Sequence, residues 1–189
     1  MPGKAPKIMV IRHGEKPNGA ITGVKASGEP SARDLTVRGW QRAGALACLF
    51  APARGALQND LLAKPAFIFA SAAVDAPEGG NSRSRRSYET VMPLAELLGI
   101  GINLSFSKGD EKALAKAAQA CDGPVLIAWQ HENIGAIVNF ILGAPAAPSA
   151  WPAERFDVVY VLSLNPADDK YSLAQVPQCL LAGDSANPV

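Results

Sequence analysis

The chain has 189 residues, the size of one ordinary domain, and is taken as a single domain spanning 1–189. Apolar residues make up 48% and charged residues 19%, which excludes a largely disordered chain, although residues 184–189 look unanchored. A net charge of +1 and a single short arginine cluster exclude a nucleic-acid surface. Cys48, Cys121 and Cys179 are odd in number and lack metal-ligand spacing, as expected of free thiols in a reducing compartment. The first apolar run is too short for a signal peptide or membrane span, so a cytoplasmic protein with no membrane partner is expected.

Lys7 to Ile11 is a short apolar run rich in β-branched residues, bounded by Pro6 and Arg12, and reads as a buried strand. Glu15 to Asp34, rich in Gly, Pro, Ser and Lys, reads as a loop of functional length. Thr36 is placed to cap a helix in which Trp40, Ala43, Ala47 and Phe50 recur at helical spacing until Pro52. Ala66 to Ala70 is a second strand. After a polar loop, Tyr88, Val91, Leu94, Ala95 and Leu98 share a helical face that Gly99 terminates.

Asp110 is placed to cap a third helix with Leu114, Ala117, Ala118 and Cys121 on one face, broken by Gly123 and Pro124. Val125 to Trp129 is again strand-like. His131 then opens a helix whose face is Ile134, Ile137, Val138 and Ile141, ending at Gly143. Phe156 to Leu164, almost wholly apolar, reads as a central strand, and Tyr171 to Val176 as an edge strand. Strands alternating with helices predict an α/β fold: a three-layer α/β/α sandwich with helices on both faces of a mainly parallel central sheet.

The chain has two histidines, His13 and His131, and each directly follows a predicted buried strand. In open α/β sheets the carboxyl ends of strands hold ligands, so both imidazoles are expected on one rim. Arg12 adjoins the first, and Arg83, Arg85 and Arg86 lead into the second helix. A guanidinium matches two phosphate oxygens at once, and a helix N-terminus adds oriented N–H groups, so the set reads as an anion pocket. Arginines around the imidazoles would repel a divalent cation, so no metal and no cofactor are expected.

These residues resemble the histidine phosphatase (phosphoglycerate mutase-like) superfamily. Arg12-His13-Gly14-Glu15 looks like its RHG motif, and Leu35-Thr36 with Gly39 and Gln41 looks like its LTxxGxxQ segment. Arg86 to Thr90 is similar to its RAxQT segment, and His131 matches its second histidine, so the resemblance runs from Lys7 to about Leu164. In many members the arginine follows the second strand within a few residues, whereas here a long polar insertion separates Ser71 from Arg86.

The resemblance implies a phosphatase that hydrolyses a phosphomonoester through a phosphohistidine on His13, without a metal. Arg12, Arg86 and His131 would hold the phosphate, the RxxxT register favouring Arg86 over Arg83 and Arg85. Glu132 is the first choice for the general acid, with Asp110, Glu111 and Glu15 as alternatives. Of these, Asp110 also reads as a helix cap and Glu111 as a surface charge. Glu89, one turn into a helix, reads as a dipole partner. Glu15, Lys16 and Asn133 are expected beside the substrate, with Glu15 pairing an arginine. The partner is a small phosphorylated substrate or a phosphorylated protein. A mutase and a non-catalytic phospho-ligand or protein-binding module are the alternatives; oligomeric state is not legible.

Overall fold

The run Lys7–Arg12 forms strand β1, and its alternate residues face opposite sides of the sheet. Ile8 and Val10 join one apolar cluster while Met9 and Ile11 join another, which is why the run carries no polar alternation. The computed structural model describes residues 4–73, 84–148 and 150–189. Within them the order is β1, α1 (Val37–Phe50), β2 (Phe67–Ala70), α2 (Arg86–Leu98), β3 (Ile102–Asn103), α3 (Glu111–Gln119), β4 (Val125–Trp129), α4 (His131–Leu142), β5 (Val158–Asn165) and β6 (Lys170–Pro177).

The strands form one six-stranded sheet among the described residues, in the order β3-β2-β4-β1-β5-β6. β1, β2, β3 and β4 pair in parallel, while β5 runs antiparallel to both β1 and β6. Residues of α1 and α2 pack on the Met9 face and residues of α3 and α4 on the Ile8 face, giving the expected three layers. The lone β5 reversal makes the sheet mixed. β5 begins at Val158, leaving Phe156 in the preceding loop, and β6 is the edge strand. The two-residue β3 is too short to leave any periodicity in the sequence.

Helix boundaries follow their local chemistry. The Thr36 hydroxyl accepts from the Gly39 N–H, and Gly99 and Gly143 end α2 and α4 in the left-handed conformation. Three sequence expectations are corrected. The Asp110 carboxylate does not cap α3; it accepts from the Ser107 N–H and hydroxyl, both at 2.9 Å. Gln41 is exposed, and the residue three after Gly39 that α1 turns inward is Arg42, 1% exposed. Residues 184–189 are anchored: Arg42 holds Asp184, Asp157 accepts from the Ser185 N–H, Arg155 donates to the Asn187 carbonyl, and Gln175 exchanges hydrogen bonds with Val189. Among the described residues no helix is long and apolar enough to cross a membrane.

Candidate active site

Arg12 on β1 lies opposite Trp129 on β4, and the His13 N–H donates to the Trp129 carbonyl at 3.1 Å. Because the two strands are parallel neighbours, the residues that follow them emerge side by side at the carboxyl edge. His13 and His131 therefore share one rim. Gly14 follows His13 with no side chain because α1 approaches so closely: a Cβ on Gly14 would lie 3.0 Å from the Gly39 carbonyl oxygen. The Gly14 N–H donates to Thr90 Oγ1 at 2.8 Å, and the Thr90 hydroxyl donates to the Arg86 carbonyl at 2.6 Å, so α2 is tied directly to the His13 loop.

The His13 ring is buried, with Nδ1 2.7 Å from the Gly14 carbonyl oxygen. A carbonyl only accepts, so Nδ1 carries the proton and Nε2 keeps its lone pair. Burial is the main reason the His13 pKa falls to about 3, and Arg86, Arg12 and His131 push it the same way against the Gly14 hydrogen bond. The imidazole is neutral at physiological pH.

Arg12 is fully buried. Its Nη1 donates to the carbonyls of Pro152, Ala153 and Arg155, and its guanidinium carbon sits 3.7 Å from the Phe156 ring centroid. Its Nε and Nη2 are buried without a partner. Burial lowers its pKa to about 10, so it remains cationic at neutral pH, with Glu132, Glu154 and Glu15 opposing the shift. Arg86, the first residue of α2, likewise has a buried Nε without a partner, and its Nη1 reaches the Ala32 carbonyl at 3.5 Å. Burial also lowers the Arg86 pKa, against the pull of Glu89, Asp34 and Glu132. Arg85 is exposed, and Arg83 lies outside the described residues.

His131 opens α4, and its Nδ1 lies 3.2 Å from Glu132 Oε2 without the alignment of a hydrogen bond. Burial foremost, then Arg12, lowers the His131 pKa, with Glu132 opposing and Lys16 and Lys108 adding to the fall. Glu132 is half-exposed; burial acts to raise its pKa, but its own backbone N–H, His131, Lys108 and Lys16 outweigh that and hold it below the usual range. Asn133 Oδ1 and Gln130 Oε1 are also buried without partners, while Gln130 Nε2 donates to the Ser71 hydroxyl at 2.7 Å. Each buried polar atom left unpaired costs about 1–3 kcal/mol, so a cluster of them at one sheet edge marks a place for a ligand. With the cationic donors of Arg12 and Arg86 in that cluster, the arrangement suits an anion. Among the described residues no three His, Cys, Asp or Glu side chains group as metal ligands.

Other expected residues stand elsewhere. The Glu15 carboxylate is held by Arg42 Nη2 at 2.8 Å and Arg38 Nε at 3.2 Å, the arginine pairing expected of it. Lys16 is exposed. Glu111 is not a surface charge: it is buried, accepting from Trp129 Nε1 at 3.2 Å and the Gly109 N–H at 3.1 Å. Glu89 is not a simple dipole partner either. Burial, and a hydrogen bond shared with Asp34, push its pKa up to about 8, so it is mostly protonated at neutral pH. That shared hydrogen bond is also the main reason Asp34 is held below its usual range. The sequence reading missed Gln130, Phe156, Arg42 and this carboxyl pair; Arg42 alone left a signal, a charge three residues after Gly39 on an inward helical turn.

No protein-family model matches the chain, and no curated protein matches it in sequence. Solved structures do match in shape. The protein histidine phosphatase SixA, solved with tungstate, has a TM-score of 0.53 at 15% identity over 92% of this chain and 97% of that one. A mycobacterial glucosyl-3-phosphoglycerate phosphatase, solved with VO3, has a TM-score of 0.52 at 15% identity over 90% and 97%. A mutant phosphoserine phosphatase from Entamoeba histolytica, solved with phosphoserine, has a TM-score of 0.52 at 11% identity over 89% and 94%. The chain thus has the phosphoglycerate mutase-like α/β fold, the fold of the histidine phosphatase superfamily.

Proposed function

We propose that this protein is a metal-independent phosphatase that hydrolyses phosphomonoesters through a phosphohistidine on His13. The observation that carries the reading is a neutral, buried imidazole with Nε2 unprotonated, beside two arginines whose buried donors have no partner. A phosphomonoester is a dianion, and a nucleophile reaches it only where fixed positive charge supports the equatorial oxygens in the transition state. Arg12, Arg86 and the N–H groups opening α4 supply that charge beside His131. SixA and the mycobacterial phosphatase, solved with tungstate and VO3, accept oxyanions on the same fold.

In the first step the Nε2 lone pair bonds to phosphorus as the ester P–O bond breaks. The departing oxygen takes a proton from the Glu132 carboxyl group and leaves as the alcohol. Water then attacks the phosphohistidine while Glu132 takes back a proton; the N–P bond breaks, its electrons return to Nε2, and inorganic phosphate leaves. Glu132 is ionised in the free protein, and the negative charge of a bound phosphate raises its pKa toward the acid role. The buried, unpaired Asn133 Oδ1 would border the leaving group, and exposed Lys16 adds positive charge near His131 and Glu132.

A binding module would need the anion pocket but not a free nucleophilic nitrogen. Turnover of p-nitrophenyl phosphate by the wild type and by His13→Ala separates the two. Loss of turnover in His13→Ala supports the phosphatase; equal rates, or no turnover by wild type across a panel of phosphomonoesters, overturn it.

A further inference from the structure

Behind the His13 loop lies a second buried cation whose contacts cross most of the chain. Arg42 Nε and Nη2 hold the Glu15 carboxylate, and Nη2 and Nη1 hold the two Asp184 oxygens at 2.8 and 3.1 Å. Nη1 also donates to Gln178 Oε1 at 2.9 Å. The side chains of Arg42, Asp184 and Glu15 are 1%, 3% and 14% exposed, so water screens this triad little. Asp184 in turn accepts from the N–H groups of Leu180 and Leu181, which makes 178–185 a folded strap.

The link to chemistry runs through one peptide plane. The carbonyl that accepts from His13 Nδ1 belongs to Gly14, and the Gly14–Glu15 peptide is a rigid plane. Fixing Glu15 therefore leaves that carbonyl only the rotation about the Glu15 N–Cα bond. Glu15 is held at its carboxylate by Arg42 and at its own carbonyl by the Thr36 N–H at 2.9 Å and hydroxyl at 3.2 Å. There is no slack on the α1 side, because a Cβ on Gly39 would lie 2.7 Å from the Glu15 carbonyl oxygen.

We propose that Arg42 is a positioning residue: clamped by Asp184 of the 178–185 strap, it holds Glu15 so that the Gly14 carbonyl keeps His13 in the tautomer with Nε2 free. Arg42 acts through Glu15 and touches neither His13 nor the phosphate. A second tie points the same way, since the Arg155 side chain donates to the Asn187 carbonyl while its own carbonyl accepts from Arg12 Nη1. The inference gains its catalytic meaning from the reading of His13 as nucleophile.

Imidazole ¹⁵N NMR on the full chain tests it without substrate, because the chain has two histidines. Wild-type His13 is expected to show a protonated Nδ1 and to stay neutral at all pH values well above about 3. In Asp184→Asn, which keeps the shape and removes the charge, His13 should become a mixture of tautomers and stay neutral, because losing the Gly14 hydrogen bond removes a contact that raises its pKa. Its kcat on p-nitrophenyl phosphate should fall about 10- to 100-fold with KM nearly constant, the signature of a misplaced nucleophile. Leu46→Ala, in the core under the same helix, serves as the control for lost stability and should leave the His13 signals unchanged. Should Asp184→Asn fail to fold, Glu15→Gln at the more open end of the triad repeats the measurement. Unchanged His13 signals in the folded variant overturn the proposal. Altered signals in a chain whose wild type turns over nothing uphold the positioning and overturn the phosphatase reading instead.

Discussion

Two buried cationic centres adjoin the His13 loop, and they are built in opposite ways. At Arg42 all three guanidinium nitrogens are engaged, by two carboxylates and an amide oxygen. At Arg12 and Arg86, buried donors face no partner. A satisfied buried charge belongs to the scaffold, whereas an unsatisfied one lowers stability until a ligand arrives. The contrast separates residues that shape the site from residues left open to a ligand.

The sharpest break in that contrast is at the proposed nucleophile. His13→Ala should lower kcat on p-nitrophenyl phosphate on the order of 10⁵-fold or more, as loss of a covalent nucleophile does, with thermal stability nearly unchanged. Next, Arg86→Met should lower kcat/KM about 10³- to 10⁵-fold, the range of an arginine that stabilises a transferring phosphoryl group. Its urea stability should hold or rise, because the variant removes an unpaired buried donor. Arg42→Met should do the converse to stability, losing about 3–5 kcal/mol in urea unfolding by leaving two buried carboxylates unpaired. If both arginine variants lose equal stability, the distinction between the centres fails.

Glu132→Gln refines the picture within the pocket. Its kcat should drop about 100-fold, within the usual range for a general acid, for substrates with poor leaving groups and much less for p-nitrophenyl phosphate. The wild-type decline of kcat as pH rises through the Glu132 pKa in the complex should vanish in the variant; a retained decline assigns the proton to another group.

The smallest effect lies at Glu89 and Asp34, behind Arg86. The Glu89 pKa is raised from 4.5 to about 8, so between these values the folded chain holds more protons than the unfolded one. The Glu89 contribution is fully present below pH 4.5 and declines as pH rises through about 8. Glu89→Gln should flatten the fall of Tm across that window, as read by calorimetry at a series of pH values. A Tm profile identical to wild type would show that the pair does not share a proton.

Much of this protein is written locally. The apolar run at β1, the inward face of α4, the Thr36 cap and the glycines that end α2 and α4 follow from side-chain periodicity and backbone freedom, which neighbouring residues determine among themselves. The placement of each histidine after a strand belongs to the same level, whereas the parallel pairing of β1 with β4, which brings those strand ends together, joins distant parts of the chain. Glu89, Glu111 and the segment 184–189 were misjudged for one reason: their partners are Asp34, Trp129 and Arg42, far away in the chain. An ion pair between residues 142 positions apart leaves no pattern in either neighbourhood.

By itself, then, the order of amino acids determined the strands, the helices and their inward faces, and set each imidazole directly after a strand, because those features arise from interactions within a few turns of chain. Only the folded molecule decided which arginine is satisfied and which keeps open donors, which carboxyl holds a proton, and which way the His13 ring is turned. Those properties depend on burial and on partners from distant segments, and both exist only once the layers have closed on the sheet.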